Sequence, residues 1–190
     1  GPRPGRRAPG LGRGGDERVV FAGSPMPFLR PPLEPVRGRE PPPMEGVDVS
    51  YCQPEVDWER VLVAGKSFAY MKTSQRRADR LFAKHWEGAR AAGLLVGCYH
   101  YLDRSVPVQE QVELFLRTYR DVPGFADLPP ALDVEDAPLG ETPPHLVARA
   151  LMWLRAVEEE LGVRPVVYTF PAFVVSCMRC PEAVELAAYP

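Results

Sequence analysis

The chain has 190 residues, 25% of them charged, and a formal charge of −2. That length holds one full-sized domain, or one domain with a tail. No stretch is long and apolar enough to span a bilayer, and no charged, apolar, then small-residue export signal opens the chain.

Composition changes near residue 44. Residues 1–43 are crowded with Pro, Gly and Arg, as in Gly1-Pro2-Arg3-Pro4-Gly5-Arg6-Arg7, with one short apolar cluster, Val19-Val20-Phe21-Ala22. Too little apolar surface is available there to offset chain entropy, so a disordered or loosely attached tail is expected. The tail carries eight Arg against four acids, about +4, leaving about −6 for the remainder. Such a tail can suit an anionic polymer. The preferred reading is a soluble linker or an over-extended start, with Met44 as a sensible true start and no nucleic-acid partner. The two expected units are therefore 1–43 and 44–190.

From residue 45 the pattern alternates between strand-like and helix-like units. Gly46-Val47-Asp48-Val49-Ser50 and Phe68-Ala69-Tyr70-Met71-Lys72 read as strands. Over 79–92, Leu81, Phe82, Trp86 and Ala89 follow helical spacing, and Gly93 stops the helix. Residues 94–101 form a third strand. Pro107 opens a helix carrying Val108, Val112, Phe115, Leu116 and Tyr119. A strand at 130–135 follows. Thr142 caps a long helix with Pro143 in its first turn, an apolar stripe from Leu146 to Leu161, and Gly162 at its end. Residues 165–169 give a fifth strand, and Pro171 begins a short helical segment. This rhythm predicts an α/β fold of βαβ units around a parallel sheet. In a barrel of that kind, functional residues stand at the C-terminal ends of strands. Asp48, Tyr101, Glu135 and Tyr168 fall near such ends.

The fourth strand, Pro130-Ala131-Leu132-Asp133-Val134-Glu135, ends in two acids. Side chains alternate along a strand, so Asp133 and Glu135 share a face and Val134 takes the other. Two carboxyls side by side at a strand end suit sugar-bond hydrolysis, one giving a proton and one assisting at the anomeric carbon or an N-acetyl group. The plainer reading is a solvated acidic loop after a buried strand. Of the four cysteines, Cys177 and Cys180 form a lone C-x-x-C with no second ligand pair, so small buried or half-buried thiols are expected rather than a metal or redox site.

Several motifs in order resemble glycoside hydrolase family 25 lysozymes. They are Gly46 to Gln53 with Val56-Asp57-Trp58, then Phe68 to Lys72, Gly88 to Tyr101, Pro129 to Glu135, and Arg164 to Thr169. The resemblance runs from about 45 to the end and leaves out 1–43. It implies a TIM-like (β/α) barrel and a muramidase that cuts the β-1,4 bond between N-acetylmuramic acid and N-acetylglucosamine in bacterial peptidoglycan. By matching position, Glu135 would be the general acid. Asp133 would stabilise the substrate's N-acetyl group or the developing positive charge, and Asp48 would line the same pocket. Glu135 would then need a raised pKa, which charge on Asp48 and Asp133 could provide. Tyr99, Tyr101 and Tyr168 are candidates for stacking on sugars or hydrogen bonding to them. Lys72 fits a site-lining charge or a surface one. His100 fits a packed histidine, and Trp58, Trp86 and Trp153 fit the core. No metal or cofactor is implied. The family acts outside the cell or in the cell wall, and a monomer is expected.

Three departures stand out. Thr73-Ser74-Gln75-Arg76 replaces the family's Ala-Thr-Glu-Gly, exchanging an acid at the pocket mouth for Gln75. Tyr51-Cys52 replaces His-Trp. The family pattern also continues with further strands beyond Pro190, so an irregular, incomplete barrel is expected. On that expectation this stretch alone has weak or no activity, and a form with the strands restored clears cell walls. The competing functions are a non-catalytic peptidoglycan binder and a metal-using barrel enzyme. The second would have to draw on His85, His100 and His145.

Overall fold

The computed structural model describes residues 44–135, 143–170 and 182–190. The 1–43 segment, the Thr142 cap, the segment after Pro171 and the Cys177/Cys180 pair lie outside the described residues.

The elements alternate as expected: β1 (Gly46–Val49), α1 (Trp58–Val63), β2 (Phe68–Ser74), α2 (Phe82–Ala91), β3 (Leu95–Tyr101), α3 (Val108–Arg120), β4 (Ala131–Val134), α4 (Pro143–Leu161), β5 (Val166–Thr169) and α5 (Glu182–Leu186). The five strands are all parallel, in the order β1-β2-β3-β4-β5, so each crossover moves on by one strand. The result is a curled half-barrel of α/β type. The α/β class and the parallel sheet agree with the sequence pattern.

Local differences have local causes. Helix α1 is absent from the periodicity reading because six residues are too few to show a 3.6-residue repeat. Its signal is the cap: Asp57 Oδ1 accepts from Arg60 N at 3.0 Å. Helix α2 begins at Phe82 rather than 79 because Asp79 turns the chain first, with Oδ1 accepting from Leu81 N at 2.8 Å. Strand β2 runs on to Ser74, past a register shift between Lys72 and Ser74. Alternation breaks there, and Thr73 and Ser74 are both buried.

Below that point alternation sorts the sheet into two faces. Val49, Ala69, Met71, Val96, Cys98, Leu132 and Val134 face the helices and are buried with Phe82, Trp86, Phe115 and Trp153. Trp58, Trp86 and Trp153 are all core residues, as the sequence suggests. Full burial of one such side chain is worth about 1.5–3 kcal/mol. The other face is concave and carries Gly46, Asp48, Phe68, Tyr70, Lys72, Tyr99, Tyr101, Ala131 and Asp133.

A buried polar node ties the helix layer to the strand tops. His100 Nε2 pairs with Gln111 Oε1 and its Nδ1 with Ser74 Oγ, each at 2.9 Å. The ring stacks on Trp153 with centroids 5.6 Å apart. Burial pushes the imidazole down to about 4, so it is neutral, with Nε2 donating to the amide oxygen and Nδ1 accepting from the serine hydroxyl. Gln111 Nε2 in turn donates to the carbonyls of Asp103 and Val106. This node holds the loops after β2 and β3, which build the site.

Gly97 makes room on the concave face. A Cβ there would sit 2.5 Å from Tyr70 Cε1. The tyrosine has little freedom to move aside, because its hydroxyl donates to Pro129 O at 2.9 Å across the sheet. Gly97→Ala is expected to destabilise the fold by about 1–3 kcal/mol. Urea unfolding checks this, and an unchanged midpoint would mean that the ring yields freely.

Candidate active site

Register places the candidate residues in rows across the concave face. Asp48 pairs with Tyr70, and Tyr70 with Gly97. One row higher, Lys72, Tyr99, Ala131 and Val166 stand side by side. The top row is Tyr101, Asp133 and Tyr168. Glu135 follows directly after β4. All six sequence candidates therefore line one cleft of about 520 Å³, a volume typical of small-ligand sites.

The two acids of β4 stand in different surroundings. Asp133 is 9% exposed, and its Oδ1 has no hydrogen-bond partner among the described residues. Burial, then the charges of Glu135 and Asp48, push its carboxyl from 3.8 up to about 7, against the pull of Lys72. Glu135 is exposed at the strand end. The resemblance led us to expect a raised pKa at Glu135 through Asp48 and Asp133. These surroundings push up the carboxyl of Asp133, which lies deep in the sheet.

The tyrosines take three positions. Tyr99 is half-buried; burial raises its hydroxyl, and the charges of Asp48, Asp133 and Asp79 add to this. Tyr101 lies under a cation, with Lys72 Nζ 4.8 Å from its ring centre. Tyr168 is 59% exposed at the rim, and the adjacent Glu135 carboxylate raises its hydroxyl. An open aromatic face and a polar tip suit a sugar ring.

Lys72 is a cleft residue rather than a surface charge. Burial lowers its pKa, opposed by Asp79, Asp133 and Cys52. Its Nζ donates to Gln75 Oε1 at 2.9 Å. Its parity with Tyr70 along β2 was the available signal, but parity alone does not tell a cleft face from a solvated one. Tyr70 itself went unnamed as a site residue. None of the three histidines lines the cleft: His85 and His100 are buried behind the sheet, and His145 is exposed on α4. Among the described residues no cluster has the composition of a metal site.

The sequence profile of Glycosyl hydrolases family 25 matches residues 47–186. The chain belongs to this family.

Among curated relatives, protein YegX of Escherichia coli strain K12 is 35% identical over 138 residues, covering 68% of this chain and 49% of YegX. Lysozyme M1 of Streptomyces globisporus is 31% identical over 94 residues, covering 48% of this chain and 26% of that protein. The chain spans about half the length of YegX. Among solved structures, a family 25 lysozyme from Aspergillus fumigatus superposes with a TM-score of 0.62 at 27% identity, covering 70% of this chain and 68% of that one. A family 25 glycosyl hydrolase from Bacillus anthracis gives 0.64 at 23% identity, covering 74% and 67%. The second likeness concerns the fold alone.

Proposed function

We propose that this family 25 chain forms the carboxylate-bearing half of a muramidase cleft that hydrolyses the β-1,4 bond between N-acetylmuramic acid and N-acetylglucosamine in peptidoglycan. The observation that carries the reading is that Asp48, a buried Asp133 and a more exposed Glu135 line one cleft together with Tyr99, Tyr101 and Tyr168. Two carboxyls held in unlike environments can take unlike roles in glycoside cleavage.

In this reading Glu135 gives its proton to the leaving glycosidic oxygen. Asp133, once ionised, faces the positive charge that grows at the anomeric carbon or on a participating N-acetyl group. Its buried Oδ1 has no hydrogen-bond partner among the described residues. Asp48 adds negative potential from β1, and Lys72 favours the ionised form of Asp133. Tyr99, Tyr101 and Tyr168 hold the sugars along the cleft. The substrate places the protein's action outside the cell or in the cell wall. No helix among the described residues is long and apolar enough to cross a membrane.

Release of reducing ends from purified peptidoglycan tests the reading. The assay is made with this chain and with a form extended by the family's further strands. Cleavage that yields N-acetylmuramic acid at the new reducing end is expected of the extended form. An extended protein that binds walls yet releases no reducing ends would leave a non-catalytic wall binder in its place.

A further inference from the structure

A second concavity adjoins the cleft. It has a volume of about 740 Å³ and lies at the C-terminal end of β2, lined by Lys72, Gln75, Arg76, Arg77, Asp79 and Arg80. Lys72 lines both concavities, so the groove lies directly beside the carboxylate cleft.

The groove is cationic, and its cations are held in place. Arg76 Nε donates to Asp103 Oδ2 at 2.7 Å, and Gln75 Nε2 donates to the same oxygen at 3.3 Å. Burial works against ionisation of Asp103, yet bonds from Ser105, Arg76 and Gln75 hold its carboxyl down to about 2. Gln75 Oε1 meanwhile accepts from Lys72. A carboxylate at that position would neutralise the ammonium, whereas an amide orients it and leaves its charge intact. The lining's own acid, Asp79, accepts from the backbone of Tyr51 and Leu81. Arg77 and Arg80 are exposed and have no ion-pair partner among the described residues. Two unpaired guanidinium groups beside an oriented ammonium recognise carboxylates well.

The sugar rings of peptidoglycan are uncharged. Its anionic groups near the glycan are the carboxylates of the peptides borne on muramic acid. We infer that the groove of Arg77 and Arg80 is a subsite for the carboxylates of the stem peptide, selecting glycan that still bears its stems. This rests on the peptidoglycan reading above and adds the part of the substrate that sets specificity.

Equilibrium binding tests it apart from turnover. The probes are fluorescently labelled glycan oligomers, free of teichoic acid, with stems intact or removed by an amidase. The chain is expected to bind the stem-bearing oligomer about 5- to 20-fold more tightly, the range for a few exposed charge contacts. That preference should shrink as salt rises from about 0.05 to about 0.3 M. The Arg77→Gln/Arg80→Gln form should lose most of the preference and keep its affinity for the stem-free oligomer. The Arg77→Glu/Arg80→Glu form should discriminate against stems. No stem preference in the parent chain, or an equal loss on both oligomers, would overturn the inference. So would Arg-dependent binding of a ribitol-phosphate oligomer without stem preference, which would make the groove a phosphate site. A stem preference together with no cleavage by the extended form would sink the muramidase reading and leave the subsite standing.

Discussion

Glu135→Gln is expected to lower peptidoglycan turnover by the extended form about 10²–10⁴-fold, the usual weight of one general acid. The amide has the same shape, so affinity for glycan oligomers should stay within about threefold, as is usual for an isosteric change at an exposed site. The pair of readouts is needed because Glu135 is exposed at the end of β4 beside Tyr168, where a packing role is small. A second consequence follows from the neighbour. The Glu135 charge is, after burial, the next largest influence raising Asp133. Removing it should move the titration of Asp133 downward from about 7, which carboxyl NMR would detect. Full turnover in Glu135→Gln would exclude Glu135 as the proton donor, whatever happened to binding.

Asp133→Asn is expected to act on both activity and stability, in opposite directions. If an ionised Asp133 faces the developing positive charge, the asparagine form should lose about 10²–10³-fold in kcat/KM. In the parent protein kcat/KM should rise with pH through about 7 as Asp133 ionises, and that limb should vanish in the variant. The stability sign is set by the direction of the shift. The folded carboxyl titrates near 7 and the unfolded one near 3.8, so the folded state binds the proton more tightly. Its contribution is fully present below the unfolded value and is lost as pH rises through the folded value. The advantage of the asparagine form should therefore be absent at low pH, grow towards 7 and level off above it. The carboxyl faces an open cleft, so solvent screening limits the gain to about 1–2 kcal/mol, or about 3–6 °C in Tm. Thermal unfolding at several pH values measures it. A gain that peaked at low pH would show that Asp133 is not the group with the raised pKa.

Much of this architecture was legible in the residues. Five strands and most helices announce themselves because burial against a helix layer imposes a period of two or 3.6 on the apolar side chains. The β4 motif and its parity placed Asp133 and Glu135 on one side without coordinates. Tyr101 and Tyr168 were placed by their positions at strand ends. What could not be read were features that depend on a partner distant in the chain. Gln111 looks like an ordinary helix residue, yet its amide holds His100 and the carbonyls of Asp103 and Val106. Arg76 and Asp103 stand 27 positions apart and meet only because β2 and β3 are neighbours.

Sequence alone therefore determined which residues line the cleft: the family motifs, the acid pair, and the strand ends on which they stand. Tertiary structure decided how those residues are divided. It put Lys72 in the cleft, opened a cationic groove beside it, and raised the pKa of Asp133. The physical reason is that covalent order and side-chain period are local properties of a chain. Desolvation and Coulomb interactions depend on what the fold brings within a few ångströms, and for Asp133 these are the burial of β4, the charge of Glu135 beside it, and the opposing charges of Lys72 on β2 and Asp48 on β1.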